Sequence, residues 1–263
     1  MESSWPTKRF FYFYPMKQPR PDLLSYPLSV VFYLFFGLFL LIFDPVQRIC
    51  LNVFGYTAHK RSVDLFNLLV LRLLHVLGTT YSIKRTGELP KGVPVIVVAN
   101  HQSMWDIPPL IWFLRKIHPK FISKIELGKG IPTISYNLKY GGSVLIDRKD
   151  PAQATAQIEK IAQYITHHNR GVVIFPEGTR SRDGRPKDFK RRGLLTLFQH
   201  APEAVILPVS ISNSWKLQRF GMFPIPTGTH LRFVLHEPVN VRDLPHEELI
   251  DHIESIVRSH IIQ

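Results

Sequence analysis

A single cysteine, Cys50, gives the 263-residue chain neither an internal disulfide nor a cysteine zinc cluster, and its apolar setting suits a buried, inert thiol. Acidic residues are scarce as well. Twenty Asp and Glu against 33 Lys and Arg leave a formal charge of +13, which favours an anionic partner: a phosphorylated substrate, an anionic membrane surface or nucleic acid. No helix-turn-helix, zinc-finger spacing or aromatic RNA-binding signature accompanies that charge, so nucleic acid is not the expected partner. The chain contains no Gly-x-Ser-x-Gly elbow and no His-Glu-x-x-His, which argues against a serine hydrolase and a zinc hydrolase, and no metal is expected. Internal repeats and low-complexity tracts are missing too. The length therefore predicts one core with an appendage.

Residues 1–22 mix aromatics, prolines and bases without a period, and Phe10 to Tyr14 suits a membrane interface. An apolar core and cleavage site of the signal-peptide kind are not seen there. From Leu23 to Phe43 there is no charge, and a helix of that length covers roughly 30 Å, about one hydrocarbon core. Pro27 shortens this segment and Asp44-Pro45 is expected to stop it. Basic residues nearly balance across it (Lys8, Arg9, Lys17 and Arg20 before; Arg48, Lys60 and Arg61 after), which favours both ends on one side of a membrane. Ser62 to Leu77 then lines up Leu65, Leu68, Leu69, Leu73 and Val76 on a helical face. Residues 1–78 are thus read as a tail and amphipathic helices that lie on or dip into one leaflet, in preference to a single span.

After Thr79 short apolar runs alternate with helical patterns, which defines a second region, residues 79–263. Strands are expected at Tyr81–Lys84, from Val93, at Lys120–Ser123, Ser143–Ile146, Val172–Phe175, Val205–Ser212 and His230–Leu235. Helices are expected near Trp105–Lys116, Thr133–Tyr140, Pro151–His168, Arg192–Gln199 and Pro245–Ile261. This order predicts an α/β fold: a mixed, largely parallel sheet flanked by helices, with ligands outside the carboxyl ends of the strands.

Two of the apolar strands end in polar clusters. The first runs into Asn100-His-Gln-Ser-Met-Trp-Asp106, where a turn would let Asp106 fix one ring nitrogen of His101 and leave the other for a substrate proton. With no serine in the pair, the user of such a base is a substrate hydroxyl, so transfer to an alcohol is one reading; a strand-end histidine beside a helix-capping aspartate is the other. The second cluster is Pro176-Glu-Gly-Thr-Arg180. Gly178 allows close backbone approach and Arg180 offers a planar fork to phosphate. If the strands are parallel, the two clusters face each other across a cleft. Lys124, after another strand, could add charge to an anionic pocket.

Asn100-His-Gln-Ser-Met-Trp-Asp106, Lys124-Ile-Glu-Leu127, Phe175-Pro-Glu-Gly-Thr-Arg-Ser181 and Leu207-Pro-Val209 resemble, in order, the four blocks of the glycerophospholipid acyltransferases, most closely the bacterial lysophosphatidic acid acyltransferases. The resemblance spans residues 100–210, and the amphipathic N-terminal segment is similar to that family's membrane anchor. It implies a glycerol-3-phosphate acyltransferase-like fold and an enzyme, a 1-acyl-sn-glycerol-3-phosphate O-acyltransferase. In that reading His101 is the general base and Asp106 orients it; Lys124, Glu177, Gly178, Thr179 and Arg180 bind substrate, Arg180 and Lys124 at the phosphate. No cofactor is implied. Acyl-CoA or acyl carrier protein is the co-substrate, a lysophospholipid the acceptor, and the cytoplasmic face of the inner membrane the site. Another lysolipid such as a lyso-aminolipid, or a non-catalytic protein binding anionic lipid, are the alternatives. Two stretches depart from the family pattern: Gly128-Lys-Gly-Ile131 delays the proline of the second block to Pro132, and Phe189-Lys-Arg-Arg-Gly193 carries an extra base.

Overall fold

The computed structural model describes residues 20–262, so the aromatic run at Phe10 to Tyr14 lies outside the described residues. The first element, α1 (Ser25–Leu74), corrects the expected stop at Asp44-Pro45: the helix continues through Pro45 and breaks at Gly55, with φ 78° and ψ −172°. Proline removes one helical N–H, and Thr133 braces the helix at that point. Its backbone N–H donates to the Asp44 carboxylate at 2.8 Å, its hydroxyl donates to the Leu40 carbonyl at 2.8 Å, and Arg48 also donates to Asp44. Gly55 gives way instead because only glycine takes positive φ without a steric cost.

Before the break α1 has one buried face and one exposed apolar face. Ser29, Phe32, Phe43 and Gln47 are buried against the rest of the molecule, whereas Val30, Leu34, Leu38, Leu41, Ile49 and Val53 form an exposed stripe at helical spacing. Together with the short helical turn after it, α1 is long and apolar enough to cross a membrane.

The rest is one eight-stranded sheet built from β1 (Thr80–Arg85), β2 (Val95–Ala99), β3 (Lys120–Lys124), β4 (Val144–Ile146), β5 (Gly171–Ile174), β6 (Val205–Ser212), β7 (His230–Leu235) and β8 (Val239–Asn240). The order is β1-β7-β6-β2-β5-β3-β4, with β8 on β6; β2 to β6 run parallel, and β7 turns antiparallel to β6. Helices α2 (Ile107–Phe113), α3 (Ile134–Tyr140), α4 (Pro151–His168), α5 (Arg191–His200) and α6 (His246–Ser259) complete it. The fold is therefore the mixed, largely parallel sheet flanked by helices that the sequence predicts.

β2 is buried along its whole length because it feeds two cores. Val95, Val97 and Ala99 join α1 and α2 on one face, and Ile96 and Val98 join α4, α5 and α6 on the other. That double burial is why the strand reads as a continuous apolar run rather than an alternating one. Pro208 lies inside β6, where the strand changes partner from β8 (through Ile206) to β7 (from Val209), so its missing N–H interrupts no bond on that side.

Trp105 ties the N-terminal helix to the sheet. Its ring meets Phe32 and Phe36 of α1 edge-on, at centroid distances of 5.1 and 5.5 Å, just after the end of β2. Trp105→Ala is expected to destabilise the protein by about 3–5 kcal/mol, as for large aromatic truncations in cores; denaturant unfolding in detergent measures it, and a loss below about 1 kcal/mol would show that α1 is not coupled to the sheet here.

Candidate active site

β2 ends at Ala99 and Asn100 continues its ladder with a side chain. The buried amide donates to the Ile211 carbonyl at 2.8 Å and accepts from the Ile211 N–H at 2.7 Å, which pins the turn to β6. The next residues form a reciprocal cap. Ser103 Oγ accepts from the Trp105 N–H, and the Asp106 carboxylate accepts from the Ser103 N–H at 2.9 Å.

This cap brings Asp106 back under His101. Asp106 Oδ2 lies 2.8 Å from His101 Nδ1 and also accepts the Gln102 N–H at 2.8 Å, while Oδ1 accepts the Ser214 hydroxyl. The carboxylate is fully buried and the histidine side chain 17% exposed. An acceptor at Nδ1 assigns the proton there, so Nε2, which has no hydrogen-bond partner among the described residues, carries the free lone pair. The ring lies flat on Phe175, centroids 4.1 Å apart, so the aromatic surface at the end of β5 fixes its plane.

The second cluster is not across a cleft from the first, as the sequence predicts, but bonded to it, because β2 and β5 are adjacent parallel strands. The His101 N–H donates to Glu177 Oε1 at 3.0 Å, and the Ser181 N–H donates to the His101 carbonyl at 2.8 Å. Gly178 turns this loop at φ 71°, Thr179 is exposed, and Arg180 is half-buried. Lys124, at the end of β3, is exposed and makes no hydrogen bond or ion pair to His101, Glu177 or Arg180. β5 separates β3 from β2.

Glu177 is buried, and its Oε2 has no partner among the described residues. Burial pushes its carboxyl up to about 7, against the His101 N–H, which favours the charged form. A carboxyl raised in the folded state stabilises fully below its unfolded pKa, near 4.5, and loses that contribution as pH rises through about 7. Thermal melts from pH 5 to 8 should show the wild type losing Tm relative to Glu177→Gln across that window; parallel curves would contradict it.

Two residues of the site carry no motif. The segment Ser214–Gln218, a short 3-10 turn after β6, supplies Ser214 to Asp106 and Gln218 to the second cluster. Gln218 Oε1 accepts from Ser103 Oγ at 3.0 Å, the Met104 N–H at 3.2 Å and Arg180 Nη1 at 3.0 Å. One amide oxygen thus joins Arg180 to the turn that carries Asp106. A part-exposed histidine on a buried carboxylate, with one ring nitrogen free and a half-buried guanidinium tied to the same turn through Gln218, is equipped to remove a proton next to an anionic group.

The family described as Acyltransferase matches residues 82–212, a segment that includes His101, Asp106, Lys124 and the Glu177–Arg180 loop. The chain belongs to the acyltransferase family. Its relatives include the chloroplastic 1-acyl-sn-glycerol-3-phosphate acyltransferase of Arabidopsis thaliana, 31% identical over 147 residues, covering 56% of this chain and 40% of the relative. The enzyme of that name from Limnanthes alba is 27% identical over 215 residues (81% and 69%), and the alpha enzyme of Homo sapiens 28% over 166 residues (58% and 54%). The matched segment thus spans about half the length of most of these curated relatives. Among solved structures, the chain is similar to the 1-acyl-sn-glycerophosphate (LPA) acyltransferase PlsC from Thermotoga maritima, with a TM-score of 0.66 and 27% identity over 89% of this chain and 92% of that one.

Proposed function

We propose that the chain transfers a fatty acyl group from a thioester, acyl-CoA or acyl carrier protein, to the free hydroxyl of lysophosphatidic acid, giving phosphatidic acid. The observation that carries this reading is the free Nε2 of His101 over a buried Asp106, with Arg180 held to the same turn by Gln218. His101 Nε2 takes the hydroxyl proton as the oxygen attacks the thioester carbon. The tetrahedral intermediate then collapses, expelling the thiolate, which recovers the proton from the imidazolium. Asp106 holds the tautomer before the attack and balances the imidazolium during it.

Arg180 receives the acceptor phosphate. Its Nη1 stays on Gln218 and the rest of the fork is left for the phosphate oxygens. Lys124, exposed at the end of β3, adds positive charge on the same sheet edge, and the Glu177-Gly178-Thr179 turn shapes the loop beneath the acceptor. The exposed stripe of α1 rests in one leaflet of the membrane from which the acceptor is drawn, with the sheet on the cytoplasmic side.

The test is acceptor-dependent acyl transfer by the purified protein, with lysophosphatidic acid compared with a zwitterionic lysolipid. Losing a charge-assisted bond worth about 1.5–3 kcal/mol, Arg180→Ala is expected to lower kcat/KM for lysophosphatidic acid by about 10- to 100-fold and to leave the donor KM unchanged. Equal use of both acceptors, with Arg180→Ala neutral, would move the acceptor to a lyso-aminolipid class.

A further inference from the structure

The edge of the sheet opposite His101 holds a small polar cavity. The parallel strands β3 and β5 begin there, and Lys120, the first residue of β3, and Arg170, just before β5, meet the part of α1 that follows the Gly55 break. The cavity, about 20 Å³, has His59, Lys60, Asp64, His118, Lys120 and Ser143 as its main polar lining, Asp64 being the one carboxylate among them. That is room for one water-sized species, a monatomic ion rather than an oxyanion or an organic molecule.

The charges around it do not balance. Lys60 is paired with Asp64 and also donates to the Arg115 carbonyl. Lys120 and Arg170 have no carboxylate within ion-pair distance among the described residues and instead share the Tyr56 ring, whose centroid lies 4.8 Å from Lys120 Nζ and 3.9 Å from Arg170 Cζ. Lys120 is nonetheless only 7% exposed. Buried charges are normally paired, and burial beside Arg170 and Lys60 pulls this ammonium down to about 7.

The uncharged lining points the same way. His59 is 1% exposed, and its Nε2 is buried without a hydrogen-bond partner. Ser143 Oγ accepts the Phe121 N–H at 3.1 Å, and its own hydroxyl hydrogen has no acceptor among the described residues. The lining residues Lys120, Ser143 and His59 thus bring an ammonium, a hydroxyl and an imidazole nitrogen, each able to donate, to one small space, with Arg170 outside the lining, over the Tyr56 ring and bonded to Tyr164. We propose that this cavity is a binding site for a small inorganic anion of about the size of chloride, which joins α1 to the starts of β3 and β5. It is separate from the acceptor site and does not depend on the proposed reaction.

The experiment is thermal unfolding of the full chain in detergent at constant ionic strength, with chloride, sulfate or phosphate against gluconate as the bulky reference. An Arg180→Ala background removes anion binding by the proposed acceptor site. A site filled only in the folded state should raise Tm by about 2–4 °C once the anion is at about five times its Kd, for each small anion that fits, and adding Lys120→Met should abolish the rise. General salting effects act on both proteins alike. Ser143→Ala, a smaller change, should require about tenfold or more anion for the same rise. A rise that persists in both variants, or no difference between small anions and gluconate, would overturn the site. Micelles containing phosphatidic acid or phosphatidylcholine separate the sources: a Lys120-dependent rise with phosphatidic acid alone, and none with free anions, would overturn the inorganic ligand and assign the cavity to a lipid phosphate.

Discussion

His101→Ala is expected to lower turnover by about 10²- to 10⁴-fold, the usual range for removing a positioned general base, while leaving the protein folded. The ring is held from outside the reaction by one bond to Asp106 and by the flat face of Phe175, and its backbone bonds to Glu177 and Ser181 survive the substitution. The loss should therefore fall in kcat rather than in the melting curve. Rates by single-turnover acyl transfer, with unfolding measured beside them, check both halves; a variant that keeps near-normal turnover removes His101 from the mechanism.

Asp106→Asn is expected to cost a similar factor, about 10²- to 10⁴-fold, and the geometry indicates how. Oδ2 accepts three N–H groups, from His101, Gln102 and Ser103, so the asparagine oxygen belongs there and the amide nitrogen faces the Ser214 hydroxyl, which can rotate to accept. The tautomer of His101 then survives and the negative charge does not. The imidazolium formed during attack loses its buried counter-charge, so the effect should appear in kcat and leave the acceptor KM largely unchanged. Because both residues act through one proton transfer, the double variant should be little slower than His101→Ala alone. Additive losses would mean that Asp106 acts through a separate route, such as holding the turn.

Much of this arrangement is legible in the residues. The apolar run into Asn100-His101 marks a doubly buried strand, and Pro151 to His168 reads as α4 with the bounds the structure has, Asp150 capping its start and Asn169 taking positive φ at its end. Strand order is a different matter. That β5 pairs directly with β2, and β3 and β4 lie beyond it, depends on how helices pack across two cores, and a one-dimensional pattern carries no trace of it. For that reason the two polar clusters read as facing partners when they are hydrogen-bonded neighbours. Ser214 and Gln218 are invisible for a related reason: Ser214 acts on Asp106, 108 positions earlier, and Gln218 joins Ser103, 115 positions earlier, to Arg180, 38 positions earlier, from a short turn whose local sequence has no chemistry of its own. The break in α1 also follows tertiary context, since Thr133 braces the helix at Pro45 from another part of the chain.

The most direct test of the central claim is thiol release from acyl-CoA or acyl carrier protein by the purified protein in detergent, with and without lysophosphatidic acid, beside His101→Ala. Direct transfer through His101 requires release that depends on the acceptor, matches phosphatidic acid formed, and falls at least a hundredfold in the variant. Release without acceptor, or release that the variant retains, would contradict it.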